Sequence, residues 1–146
     1  MKILVPAVLV SLLLVLLAPP APTPADGQPQ AIACPNTVAI STTANVQLVA
    51  KGADNNKWIR ICAFVVVATA AEIVSLIEGK GTACATEPEP VIGSITAANG
   101  MSLAANAVLP MIATSPFAKT AYDDNNLCLA KDVADRVSGF LSYVVM

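Results

Sequence analysis

The chain has no histidine, and only 12% of its 146 residues are charged. Aromatic residues make up 4%, with a single tryptophan. Each shortage closes a class of function. Histidine is the side chain whose unperturbed pKa lies nearest neutrality. Without it, and without a Ser-x-x-Lys motif, a serine or cysteine nucleophile has no visible base. Trp58, Tyr122 and Tyr143 are too few to outline a sugar-stacking platform. The four cysteines contain no Cys-x-x-Cys pair, the spacing a structural metal site needs, so no metal and no cofactor is expected. No Asn-x-Ser/Thr sequon appears.

What the chain does have begins at its N-terminus. Lys2 is a minimal basic region, and residues 3–18 are apolar apart from Ser11. This is the pattern of a signal peptide, shorter than the roughly 20 apolar residues of a membrane span. Pro19, Pro20, Pro22 and Pro24 follow at once, with cleavage expected after Ala25. Two alternatives stay open: retention as an uncleaved anchor, or lipidation of Cys34 behind Ala31-Ile32-Ala33. The expected organisation is a signal peptide over 1–25, a flexible arm over 26–33 and one domain over 34–146. The chain is therefore expected to be secreted or held in the cell envelope, with no stable membrane insertion after cleavage.

Beyond Ala25 the charge stays low, at about 14% where soluble domains average about 25%. Seven basic and ten acidic side chains remain, which argues against a nucleic-acid surface and its basic stripe. A small domain with so few charges must either bury apolar surface against partners or expose it.

From Cys34 onward the chain reads as short strands separated by turn chemistry. Residues 37–41 and 45–50 are β-branched and apolar, and 51–56 is a turn cluster. Over 57–68, Ile59, Ile61, Ala63, Val65 and Val67 alternate with Trp58, Arg60, Cys62, Phe64 and Val66, so the odd row is expected to face the core. A break at Ala70-Ala71 leads to a strand over 72–78, favouring a hairpin over a helix through 61–77. Residues 81–90 read as a loop because Pro88 and Pro90 interrupt pairing. Residues 91–97 read as a strand, Asn99-Gly100 as a turn, and 101–112 as short or irregular extended chain. Strands at 126–131 and 137–146 close the domain. Gly139, inside the last of these, marks a bulge or a close approach by a neighbour. Seven or eight such strands predict an all-β antiparallel sandwich or jelly roll.

The even cysteine count in an exported chain implies two disulfides among Cys34, Cys62, Cys84 and Cys128, with three possible pairings. Strand order favours one of them. If residues 126–131 run antiparallel beside 72–78, Cys84 meets Cys128, which leaves Cys34 for Cys62.

Other constellations read as turns. Gly79-Lys80-Gly81-Thr82 lacks the upstream glycine and following helix of a phosphate loop. Asp54-Asn55-Asn56 and Asp123-Asp124-Asn125-Asn126 lack calcium-loop spacing. Glu87 and Glu89 alternate with prolines in a polar loop, a poor setting for a glycosidase pair.

Residues 57–146 resemble a loosely defined group of small, mostly uncharacterised β-rich proteins of bacteria, phages and environmental sequences. The resemblance is carried by Ile61-Cys62-Ala63-Phe64, Gly79-Lys80-Gly81-Thr82-Ala83-Cys84, Asn126-Leu127-Cys128-Leu129 and Val137-Ser138-Gly139-Phe140-Leu141-Ser142-Tyr143. It departs at Glu72, where that group is usually apolar, and at Pro88-Glu89-Pro90, where it is small and polar. The resemblance implies a sandwich of the kind used in virion decoration and surface attachment, and it transfers no catalytic or binding residue. The expectation is a secreted, non-enzymatic structural or attachment module that forms a homo-oligomer or docks on a larger assembly. A monomeric binding module for a carbohydrate or small apolar ligand is the alternative. Phe64, Val66, Ile73 and Ile77, on strands with two apolar faces, are the expected contact residues, either in an interface or beneath the arm.

Overall fold

The computed structural model describes residues 32–50 and 56–146, which fall within a single compact unit, Ala31–Met146. The expected signal peptide, residues 26–31 of the expected arm and residues 51–55 of the turn cluster lie outside the described residues. Ten strands form among the described residues: β1 (Asn36–Thr42), β2 (Val46–Val49), β3 (Ile59–Ala68), β4 (Glu72–Lys80) and β5 (Thr86–Ile92), then β6 (Met101–Leu103), β7 (Val108–Ile112), β8 (Ala118–Lys119), β9 (Asn126–Lys131) and β10 (Val137–Val145). All pairings are antiparallel.

One sheet, here sheet A, has the order β1-β10-β3-β7, with β8 also paired to β3. The other, sheet B, has the order β2-β9-β4-β5, with β6 also paired to β4. The eight principal strands thus wind as a jelly roll, and β6 and β8 are two short additions. Val38 and Ile40 of β1, Leu109 and Met111 of β7 and Leu141 of β10 meet Val74 and Leu76 of β4 and Leu127 and Leu129 of β9 in one core. The chain is an all-β sandwich, as its alternating pattern predicts.

Three local expectations are corrected. β3 and β4 are not a hairpin: the break at Ala70-Ala71 carries the chain from sheet A to sheet B, because each strand has a core face that the other must cover. Residues 86–92 are a strand despite Pro88 and Pro90; β5 is the edge of sheet B, where a missing N–H donor is tolerated. The expected strand over 91–97 ends at Ile92, and a bent segment with a 3-10 turn at Ala97–Asn99 follows. The end of β10 is also tied to the start of β3: Trp58 and Met146 exchange backbone hydrogen bonds of 2.8 and 3.1 Å.

β9 does run antiparallel beside β4, with Cys128 opposite Ile77. The disulfides are Cys34–Cys62 and Cys84–Cys128, with Cα separations of 6.3 and 6.0 Å. They close loops spanning 28 and 44 residues, and each restricts the unfolded chain by about 3.5–4 kcal/mol on the loop-entropy scale.

Candidate docking surface

The outer faces of the two sheets differ. On sheet B, Ile77 packs with Cys84, Cys128 and Ala130 in a second apolar cluster, so the Cys84–Cys128 disulfide covers this face. Ser75, fully buried beside it, accepts a hydrogen bond from the Ser94 N–H at 3.2 Å. The segment above Ser75 lies so close that a Cβ on Gly93 would stand 2.6 Å from its Oγ, and a Cβ on Gly100 would stand 3.0 Å from Ile73 Cγ2. Glycine is what lets this loop lie flat on the sheet. Ile77 and the half-buried Ile73 are thereby covered from within the domain.

Phe64 and Val66 are not on an outer face at all. Both are fully buried in the core between the sheets. The register of β10 against β3 slips between Ser142, opposite Ala63, and Tyr143, opposite Ile61. Cys62 is the extra residue, and this bulge reverses the alternation halfway along β3. Ile59 and Ile61 face inward before it, and Phe64, Val66 and Ala68 face inward after it. The expected odd row therefore leaves the core at the bulge, and Val65 and Val67 take the outer face, half-buried.

On sheet A no loop among the described residues covers the outer face as one does on sheet B. Strand register defines three rows across β1, β10, β3 and β7: Thr37, Ser142, Ala63, Ile112; Ala39, Phe140, Val65, Pro110; and Ser41, Ser138, Val67, Val108. None of these twelve residues is charged. Phe140 is 38% exposed, Val108 61% and Ile112 70%. The charge shortage of the sequence is concentrated here.

Beyond the row of Ile112 the same face turns basic. Arg60 of β3 stands opposite Lys119 of β8. The two line an open cleft of about 170 Å³ with Pro116, Phe117 and Ala118. The Lys119 ammonium lies 5.3 Å from the centroid of the Trp58 ring, and the Trp58 indole N–H donates to the Ala121 carbonyl at 3.3 Å.

The 120–125 loop below this cleft is anchored by a buried carboxylate. Glu78, 1% exposed at the end of β4's core row, accepts the N–H groups of Ala121 at 2.6 Å and Tyr122 at 3.1 Å, and the Asn125 amide at 3.4 Å. Glu78→Gln is expected to destabilise by about 1–3 kcal/mol, since its amide NH₂ would face at least one of these donors and leave it unpaired. Urea unfolding measures this; a loss below about 0.5 kcal/mol would mean that water reaches the loop.

Of the remaining sequence candidates, Lys80, Glu87, Asp123 and Asp124 are partly or fully exposed, and Asp54 and Asn55 lie outside the described residues. Lys80 pairs with Glu87 at 2.9 Å and Asp124 at 3.3 Å. The hydrogen bond its ammonium donates to Glu87, then that to Asp124, holds it above the ordinary lysine range. Glu87 is thus the counter-ion of a lysine in a solvent-exposed cluster. Asp123 accepts the Asn56 N–H at 2.7 Å, a turn-stabilising contact between the two Asn/Asp clusters. Among the described residues no three His, Cys, Asp or Glu side chains converge as metal ligands. The basic cleft was not legible in the sequence, because Arg60 and Lys119 are 59 residues apart and meet only through β3–β8 pairing.

No family model, curated protein or solved structure matches the chain. The functional reading therefore rests on the geometry of sheet A.

Proposed function

We propose that the protein is an exported, non-enzymatic assembly module whose outer sheet A face docks against a second copy of itself. The observation that carries this reading is the twelve-residue charge-free face of sheet A, set against a sheet B face that its own disulfide and loop cover. Export is supported by the two disulfides, which persist in oxidising compartments. No helix among the described residues is long and apolar enough to cross a membrane.

A second copy is the occupant that fits a twelve-residue patch bearing neither a cation nor an anion. Two such faces meet around a two-fold axis without leaving any charge unpaired, and serines and threonines supply rim hydrogen bonds. Area sets the strength. Three rows about 7 Å apart on four strands about 4.8 Å apart make a footprint of about 400 Å² per partner. The mutual burial of about 800 Å² falls short of the roughly 1,200 Å² of stable complexes. Association is therefore concentration-dependent and is reinforced where copies are held close together on a larger assembly.

Sedimentation over a concentration series tests the proposal. The weight-average mass of the disulfide-bonded protein is expected to rise with concentration. Phe140→Lys, at a partly exposed position, is expected to abolish the rise while leaving the melting temperature within about 3 °C. A wild-type protein that stays monomeric throughout would shift the reading to a monomeric extracellular binding module. The basic cleft is the specific observation favouring that second reading.

A further inference from the structure

We infer that the cleft between Arg60 and Lys119 binds an oxyanion, the carboxylate or sulfate of an acidic saccharide, and that Trp58 reports its occupancy. The inference is independent of self-association, since it rests on the basic end of the sheet.

Four observations converge. First, strand pairing sets two cations directly opposite each other, an arrangement that destabilises a sheet unless something neutral or negative intervenes. Second, neither cation has a carboxylate within ion-pair distance among the described residues, whereas Lys80 and Lys131 are both paired with carboxylates. Third, Arg60 Nε is shielded from solvent and has no hydrogen-bond acceptor. A buried unpaired donor is costly, and an oxyanion that presents two oxygens to the fork of the guanidinium would satisfy it together with a terminal NH₂. Fourth, Lys119 has no anion and instead rests over the Trp58 ring, a weaker partner for an ammonium than an oxyanion.

The walls define the body that carries the anion. Phe117, 38% exposed, and Pro116 give an apolar flank beside the two cations. A pyranose ring bearing a carboxylate or sulfate offers a C–H face to that flank and its anion to Arg60. The cleft is open and small, which suits one residue of a chain and not an enclosed ligand. Two cations are too few for the backbone of a nucleic acid, which needs a longer basic track.

The single tryptophan makes the experiment direct. When an oxyanion enters, the Lys119 ammonium is drawn off the Trp58 ring, so intrinsic fluorescence should change saturably. Trigalacturonate tests the carboxylate arm, a sulfated chondroitin disaccharide the sulfate arm, and maltotriose is the neutral control. Saturable binding of either acidic probe, weakened at least several-fold by raising salt from about 20 to 200 mM, supports the inference, and the stronger arm identifies the anion. Arg60→Gln should weaken that binding by about tenfold or more, and Arg60→Lys should recover only part, because it restores charge without the fork. Lys119→Gln, at an exposed position, keeps the test decisive if Arg60 variants fold poorly; it should weaken binding several-fold and abolish the fluorescence response, with binding then read by NMR. Equal binding of maltotriose, equal binding of an oligothymidylate, or unchanged affinity in Lys119→Gln would each overturn the inference. So would the absence of any saturable change by fluorescence and NMR up to about 10 mM of both acidic probes, a range that already reaches very weak affinities.

Discussion

Lys131→Met is expected to lower the free energy of unfolding by about 3–5 kcal/mol, a large share of what a domain of this size has. Lys131 lies at the end of the β9 core row after Leu127 and Leu129, and its ammonium pairs with Glu72 at 2.8 Å. Their side chains are 2% and 0% exposed. Lys131 also donates to the carbonyls of Val133 and Asp135, and Glu72 accepts the Val133 N–H at 3.0 Å. The pair therefore pins the 132–135 turn onto the end of sheet B. Removing the lysine strands a buried carboxylate, and that penalty, more than the lost attraction, sets the size of the effect. The double variant Glu72→Met/Lys131→Met should recover most of the loss, because no isolated charge remains. Urea unfolding of both variants under non-oxidising, non-reducing conditions checks this. A single variant within about 1 kcal/mol of wild type would show that water enters the site.

The same turn carries a pH signature of known sign. The Ile73 N–H donates to Asp132 at 2.8 Å and holds its carboxyl below the ordinary carboxylate range. A depressed folded pKa stabilises above the unfolded value of about 3.9, and that contribution disappears as pH falls through the lower folded value. Because Asp132 is solvent-exposed, acid should loosen the turn before it unfolds the domain.

These charges show where sequence reading reached and where it stopped. Glu72, Val74, Leu76 and Glu78 share one row of β4, as Leu127, Leu129 and Lys131 share one row of β9, so period-two counting places the charges in phase with the core. That they stay buried depends on partners from other strands and turns, which a local pattern does not show. The disulfide pairing was legible because it needed only the neighbour relation of β4 and β9. The face of β3 was not. From Ile61 to Val67 both rows are apolar, so nothing marks Cys62 as the bulge that moves Phe64 and Val66 into the core. Two of the expected contact residues, Phe64 and Val66, consequently lie in the core, and the outer positions of β3 are Val65 and Val67, beside Phe140 and Val108 from strands whose neighbours the sequence left open.

Gly139→Val is expected to cost about 3–6 kcal/mol and to abolish the proposed self-association with it. The sequence marked this glycine as a bulge or a close approach, and the structure makes it the latter. Gly139 lies between Ile40 of β1 and Val66 of β3, with φ at +153°, a backbone state that side-chain-bearing residues rarely adopt. A Cβ there would collide with the Val65 carbonyl oxygen and stand 2.9 Å from Val66 Cα. Both obstacles are backbone in the central strand of sheet A, so no side chain can swing aside. Gly139→Ala meets the same obstacles and should already lose about 2–3 kcal/mol, while valine adds β-branching and greater bulk. The functional consequence follows from position. Gly139 precedes Phe140, and β10 can press against β3 only with hydrogen at this site, which aligns Phe140 with Ala39, Val65 and Pro110 in one row. Pushing β10 away breaks that row even where the domain still folds. Thermal unfolding and sedimentation of both variants test the two claims separately. A valine variant as stable as wild type would show that β10 shifts freely, and an alanine variant that still associates like wild type would detach the row from the interface.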